Sequence, residues 1–269
     1  MLLLIGSLIS LGLTAITYFA SGLYDKSLWF LLLAVLLFFT YFIAFLNVYW
    51  AFVIIGTLPY RGKEFTGKVN KFWLFNIGLI AGFIIPLQGI ILKKKSFKMM
   101  PKEPGLILFN HVSDFDPWVL YTCLKGKYSF VGKLELKDIP IIGQLSASIG
   151  TLYVDDNNKE VNYRMVDNAV EYIENKKTSV VIAPEGTRNK TGKIKPFKHG
   201  GFNIAKRAKC PIVLVGFKGM ENVLKKTTAF SKVEVGVFDV IYPEQYETLS
   251  AGQIANLCED KYLDYLGQK

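Results

Sequence analysis

Histidine, cysteine and acidic side chains are the scarce residues of this chain. There are two histidines, His111 and His199, in 269 residues. The three cysteines, Cys123, Cys210 and Cys258, lie far apart and are odd in number. With no Cys-x-x-Cys pair and no Cys/His cluster, neither a disulfide framework nor a zinc site is indicated, and no metal is expected. A reducing compartment follows by default. Acidic residues number 22 against 32 basic ones, giving a net charge of +10. That balance suits an anionic membrane surface, a phosphorylated small molecule or a nucleic acid. No nucleic-acid motif is recognisable, so that partner is set aside. Internal repeats and low-complexity linkers are also missing.

Charge is missing altogether from most of the first third. Residues Met1 to Leu23 are almost wholly apolar, Asp25 and Lys26 mark a turn, and Leu28 to Leu58 carry no charge. Each run reaches the roughly 20 residues needed to cross hydrocarbon. The first run has no basic segment ahead of it and a second run directly behind it, unlike a cleaved leader. A transmembrane helical hairpin is therefore expected over 1–58. Arg61, Lys63, Lys68 and Lys71 follow the second run, so the positive-inside rule places both ends of the hairpin in the cytoplasm. A third apolar run, Phe72 to Leu92, contains Gly82, Pro86 and Gly89 and has lysines on both flanks. A full span would drag one basic flank across. A basic loop followed by helices broken near Gly82 and Pro86, lying in one leaflet, is expected over 59–100.

Beyond Pro101 the pattern changes. Short apolar runs at 105–109, 128–131, 151–154, 179–183, 211–217 and 232–242 read as strands. Val161, Met165, Val166, Ala169, Val170 and Ile173 recur at helical spacing. Further helices are expected at 117–125, 202–208 and 249–266. Strands alternating with helices predict an α/β domain over 101–269, with a mostly parallel sheet flanked by helices. Ligands bind such sheets beyond the strand C-termini.

Two segments fall at such termini. The first is Asn110-His111-Val112-Ser113-Asp114-Phe115-Asp116. His111 can act as a general base near neutral pH, and the Asp116 carboxylate can hold its imidazole in one tautomer. An aspartate before Pro117 is equally an ordinary helix start. The second segment is Pro184-Glu185-Gly186-Thr187-Arg188. Gly186 permits a tight turn, Thr187 offers a hydroxyl, and Arg188 offers a guanidinium fork suited to phosphate. Lys190, Lys193, Lys195 and Lys198 follow; such a run is ordinarily a solvated loop. His199 is the rival base, with no carboxylate within four residues.

Together and in this order, the two segments resemble the glycerolipid acyltransferase family, most of all the lysophosphatidic acid acyltransferases. The resemblance covers roughly 110–215. It implies transfer of a fatty acyl group from coenzyme A or acyl carrier protein to a glycerophosphate hydroxyl, with no cofactor beyond that thioester. It implies His111 as base, Asp116 as its orienter, and Glu185, Gly186, Thr187 and Arg188 as part of the acceptor site. Lys133 matches a family lysine near that site, though it also reads as an ordinary surface lysine. The implied partners are membrane phospholipid, a lysophospholipid acceptor and the acyl carrier, with the catalytic domain on the cytoplasmic face. The chain departs from the family at Asp156, where an arginine is usual, at Leu214, where a second proline is common, and at Ala183, in place of an aromatic.

Overall fold

The structure is a computed structural model that describes residues 2–21, 28–63, 67–175, 177–225 and 230–268. The turn expected at Asp25 and Lys26 lies outside them. The chain divides into two compact units, Met1–Pro59 and Tyr60–Lys269.

The first unit consists of α1 (Leu2–Ala20) and α2 (Leu28–Thr57). Among the described residues one helical stretch is long and apolar enough to cross a membrane, Leu32–Tyr60, whose most apolar 18 residues have a mean hydropathy of 2.2, with none of them buried. The apolar part of α1, Leu4–Ala20, is shorter; at about 1.5 Å per residue the whole helix rises just short of a hydrocarbon core. The two helices pack on each other. Thr17 Oγ1 and Tyr41 OH lie 2.8 Å apart, and a Cβ at Gly6 would stand 2.7 Å from the Phe45 ring. Ser10 and Thr57 turn their hydroxyls onto carbonyls four residues back, so neither needs water.

The second unit is built on seven strands: β1 (Ile90–Lys95), β2 (Leu106–Phe109), β3 (Tyr128–Lys133), β4 (Leu152–Val154), β5 (Ser179–Ile182), β6 (Ile212–Lys218) and β7 (Ser231–Ile241). Their order in the sheet is β1-β7-β6-β2-β5-β3-β4. Strands β6, β2, β5, β3 and β4 are mutually parallel. Strand β7 runs antiparallel to β6, and β1 runs parallel to β7. The expected mostly parallel sheet is therefore present. Every residue of β2 is buried, and so is all of β6 but Lys218. Strands covered on both faces carry unbroken apolar runs rather than alternation, which is how Leu106–Phe109 and Ile212–Phe217 read.

Helices α3 (Lys71–Leu87), α4 (Asp116–Cys123), α5 (Ile142–Ser148), α6 (Lys159–Glu174), α7 (Asn203–Ala208), α8 (Met220–Lys225) and α9 (Ala251–Leu266) flank the sheet. Helix α6 buries Met165, Val166, Ala169, Val170 and Ile173, the stripe that its spacing predicts, together with Tyr172. Helix α9 opens with a reciprocal cap between Ser250 and Gln253, which satisfies two otherwise orphaned N–H groups.

The stretch 72–92 differs from expectation. It is not broken at Gly82: α3 runs unbroken from Lys71 to Leu87, with Pro86 in its last turn. Gly89, at φ +69°, turns the chain into β1, so 90–92 belong to a strand. Lys93, Lys94 and Lys95, expected as a basic flank of the apolar run, sit on that edge strand, and Lys95 Nζ meets Glu234 at 2.7 Å. Lysines on an edge strand guard it against pairing with other chains. Periodicity could not separate the end of an apolar helix from a short apolar strand. The segment expected as 59–100 therefore packs within the same compact unit as 101–269. Helix α3 buries Trp73, Leu74, Ile77, Ile80, Ala81 and Ile85. Its other side leaves Phe72, Phe75 and Leu87 more than half exposed.

Candidate active site

Strands β2, β5, β3 and β4 end on the same edge of the sheet because they are parallel. The chain leaves β2 through Asn110, whose amide is buried. Its Nδ2 donates to the Phe217 carbonyl at 3.1 Å, and its Oδ1 accepts the Phe217 N–H at 2.7 Å. The side chain thus extends the β2–β6 pairing by one rung and fixes the point at which His111 emerges.

The imidazole of His111 places Nδ1 2.9 Å from Asp116 Oδ2, and its side chain is 20% exposed. A carboxylate facing Nδ1 requires that nitrogen to carry the proton, which leaves Nε2 as the acceptor. The same Oδ2 accepts the backbone N–H groups of Val112 at 2.6 Å and Ser113 at 2.8 Å. Asp116 is the first residue of α4, and its carboxylate reaches back over the preceding turn. It does not cap the helix: Phe115 occupies the N-cap position, and Ser113 Oγ accepts the Phe115 N–H. The helix-start reading of this aspartate is therefore incomplete, since its side chain serves the histidine. Asp116 Oδ1 is buried without a partner. Burial raises the Asp116 pKa, against the opposing pull of His111 and the two amides.

A second carboxylate braces the histidine from behind. Glu185, 4% exposed, accepts the His111 N–H on Oε1 at 2.9 Å and the Lys195 N–H on Oε2 at 3.1 Å. The His111 carbonyl in turn accepts the Asn189 N–H at 2.7 Å. Both faces of the His111 peptide are thereby tied to the loop after β5. Glu185 was expected among substrate-binding residues, but both its oxygens are engaged by backbone. Desolvation raises its pKa, and the His111 and Lys195 amides offset part of that rise.

The remaining expected residues gather on the outer side of this loop. Arg188 pairs with the exposed Asp114, which joins the two motifs directly. Lys195 Nζ donates to Thr187 Oγ1 and to the Arg188 carbonyl, both at 3.2 Å. Gly186 adopts φ +68°, and the Lys198 side chain lies across it; a Cβ there would stand 2.6 Å from Lys198 Cε. Lys133, at the end of β3, directs Nζ to Asp156 Oδ2 at 2.9 Å, and Lys198 Nζ meets Asp156 Oδ1 at 2.7 Å. Hydrogen bonds and charge from Lys198 and Lys133 hold the Asp156 carboxyl at about 2. The Lys133 ammonium is raised in turn, chiefly by its bond to Asp156. Lys133 is thus ion-paired within the cluster while half exposed.

His199 is exposed and lies against Gly252, where a Cβ would stand 3.3 Å from its Nδ1. Among the described residues it has no carboxylate partner of the kind that orients His111. Among the described residues no cluster of three or more His, Cys, Asp or Glu side chains could hold a metal ion. Three contributors escaped the sequence reading. Asn110 was seen only as part of a motif, Asn189 was not singled out, and the pairing of Lys198 with Asp156 spans 42 positions with no local signal.

Comparison with known proteins finds related sequences and a related fold. Residues 90–218 match the family model described as Acyltransferase, which bears out the resemblance read from the two motifs. The chain is 26% identical over 192 residues to the 1-acyl-sn-glycerol-3-phosphate acyltransferase of Saccharomyces cerevisiae, covering 67% of this chain and 61% of that protein. It is 24% identical over 221 residues to the human 1-acyl-sn-glycerol-3-phosphate acyltransferase alpha, covering 80% and 76%. It spans about three fifths of the yeast relative and of a Caenorhabditis elegans relative. The fold matches the crystal structure of the 1-acyl-sn-glycerophosphate (LPA) acyltransferase PlsC from Thermotoga maritima with a TM-score of 0.62, at 21% identity, over 85% of this chain and 92% of that one.

Proposed function

We propose that this chain transfers a fatty acyl group from a thioester carrier, coenzyme A or acyl carrier protein, to the free sn-2 hydroxyl of lysophosphatidic acid, giving phosphatidic acid. The observation that carries the reading is the His111 imidazole, two residues past the end of β2, anchored through Nδ1 by a buried carboxylate while its side chain stays 20% exposed. The relatives' printed names supply the acceptor.

In this mechanism the acceptor oxygen attacks the thioester carbonyl carbon while its proton passes to His111 Nε2. A positioned base of this kind contributes about 10²–10⁴-fold. The charge that develops on the ring is balanced by Asp116, which itself stays ionised. The tetrahedral intermediate then expels the thiolate, to which the imidazolium returns the proton. One O–C bond forms, one C–S bond breaks, and no redox partner is involved. Arg188, Lys133 and the lysines of the β5–α7 loop supply positive charge for the acceptor phosphate. Glu185 acts through the backbone, holding His111 against the loop that carries Gly186, Thr187 and Arg188.

The reaction belongs at a membrane. Helix α2 supplies an apolar length able to span it, and the outward Phe72, Phe75 and Leu87 of α3 suit immersion in one leaflet beside the β1 lysines. Charge in the 61–71 loop favours the cytoplasmic face.

The test is transfer of a labelled acyl chain from acyl-CoA and from acyl carrier protein to lysophosphatidic acid by purified protein. His111→Ala should abolish transfer, and His199→Ala should retain it. Retention in the first and loss in the second would overturn the assignment; binding of the lipid without turnover by the unmodified protein would overturn the reaction.

A further inference from the structure

Asp156 is the side chain that a purely phosphate-attracting site would not contain. It lies two residues past β4, and each of its oxygens holds one ammonium, Lys198 Nζ on Oδ1 at 2.7 Å and Lys133 Nζ on Oδ2 at 2.9 Å. Because Lys198 lies across Gly186, this trio is seated directly on the loop whose Glu185 braces His111. Two properties of it bear on the acceptor. The first is charge. Two ammoniums and one carboxylate sum to a single positive charge, where an arginine at 156 would bring the cluster to three. The second is openness. The side chains of Lys133, Lys198 and Asp156 are 50%, 55% and 47% exposed, so among the described residues the outer side of the cluster is open.

Each ammonium has three N–H donors and spends one on Asp156, so both retain donors for phosphate oxygens. A phosphomonoester carries about 1.5 to 2 negative charges at pH 7, whereas a phosphodiester carries one. The carboxylate between the two clamping ammoniums therefore opposes the monoester more strongly than the diester. The open outer side gives the diester's second substituent a path to solvent. We infer that Lys133, Lys198 and Asp156 form a headgroup subsite that admits lysophospholipids with an esterified, singly charged phosphate alongside lysophosphatidic acid. This inference rests on the acyl-transfer reading above. The bond changes are the same, an ester forming as the thioester C–S bond breaks and the proton passing through His111 to the thiolate, and the headgroup is untouched.

The experiment uses the full chain in mixed micelles with a labelled acyl thioester and two acceptors of the same chain length, lysophosphatidic acid and lysophosphatidylglycerol. The wild type should acylate the diester with a kcat/KM within about tenfold of that for the monoester. Asp156→Arg should shift this ratio toward the monoester by about tenfold or more, like-charge relief being of that size. The shift should lie in the acceptor KM, with the donor KM unmoved. Asp156→Asn, close in size to the native side chain, should shift it the same way by less, and decides the matter if the arginine variant does not fold. A wild type more than tenfold poorer on the diester overturns the inference, as does a ratio unmoved or moved toward the diester in the asparagine variant. Failure of the wild type on both acceptors instead overturns the acyl-transfer reading, and this inference with it.

Discussion

Replacing Asp116 by asparagine separates the charge of the catalytic carboxylate from its geometry, and the structure fixes the outcome. Three bonds converge on one oxygen, Oδ2: the ring nitrogen of His111 and the N–H groups of Val112 and Ser113. The two amides can only donate. In Asp116→Asn the carbonyl must therefore take the Oδ2 seat, and the new NH₂ falls where Oδ1 is buried without a partner. The ring still donates from Nδ1, and Nε2 remains the base. What is lost is the stabilisation of the imidazolium by a neighbouring negative charge. An opposite charge at this range is worth about one to three pK units, so kcat should fall by about 10- to 10³-fold. Where a triad aspartate is replaced and the amide turns its NH₂ to the histidine, the loss is about 10⁴-fold.

Asp116→Ala removes both terms. Two buried N–H groups lose their acceptor at about 1–3 kcal/mol each, offset in part by removal of a buried charge, and the ring loses its anchor. Single-turnover acyl transfer, with thermal unfolding in detergent on the same preparations, separates the cases. The expected order is wild type, then Asn, then Ala in both rate and stability. An asparagine variant as slow as the alanine variant, with a fall near 10⁴-fold, would refute the convergence argument.

Two further outcomes follow from the same geometry. Glu185→Gln leaves one of the His111 and Lys195 N–H groups facing an amide NH₂, an unsatisfied buried donor worth about 1–3 kcal/mol. The raised pKa of Glu185 means that burying its charge opposes folding, and glutamine removes that opposition. The melting temperature should thus change little while kcat falls at least about tenfold; a marked fall in stability with unchanged kcat would assign Glu185 to the fold alone. For the membrane arrangement, thiol labelling with an impermeant reagent from the outer side should modify neither Lys95→Cys nor Arg61→Cys, and modification of Lys95→Cys alone would make 72–87 a full span.

The sheet strands beyond residue 101 were legible because their runs are short, apolar and punctuated by glycine, proline and lysine. β1 was not, because Ile90-Ile91-Leu92 continues an apolar helix without a change of composition, and its partner β7 lies some 140 positions away. The histidine and its aspartate were legible because a five-residue interval lets the chain fold back on itself within one turn. The bonding of Glu185 was not, for the opposite reason. Its motif marks it as functional, but only the meeting of β5 with β2 reveals that its oxygens face backbone.

By itself the sequence determined what is local: the charge-free N-terminal runs, the alternation of strand and helix, and a scarce histidine within reach of an acid. Local bonding and hydrophobic spacing leave their record in neighbouring residues. Tertiary structure decided that Glu185 braces the base, and that Asp156 draws together lysines from β3 and from the loop after β5. Those outcomes depend on which strands become neighbours in the sheet, and side chains brought together from 23 to 74 positions apart leave no periodicity to read.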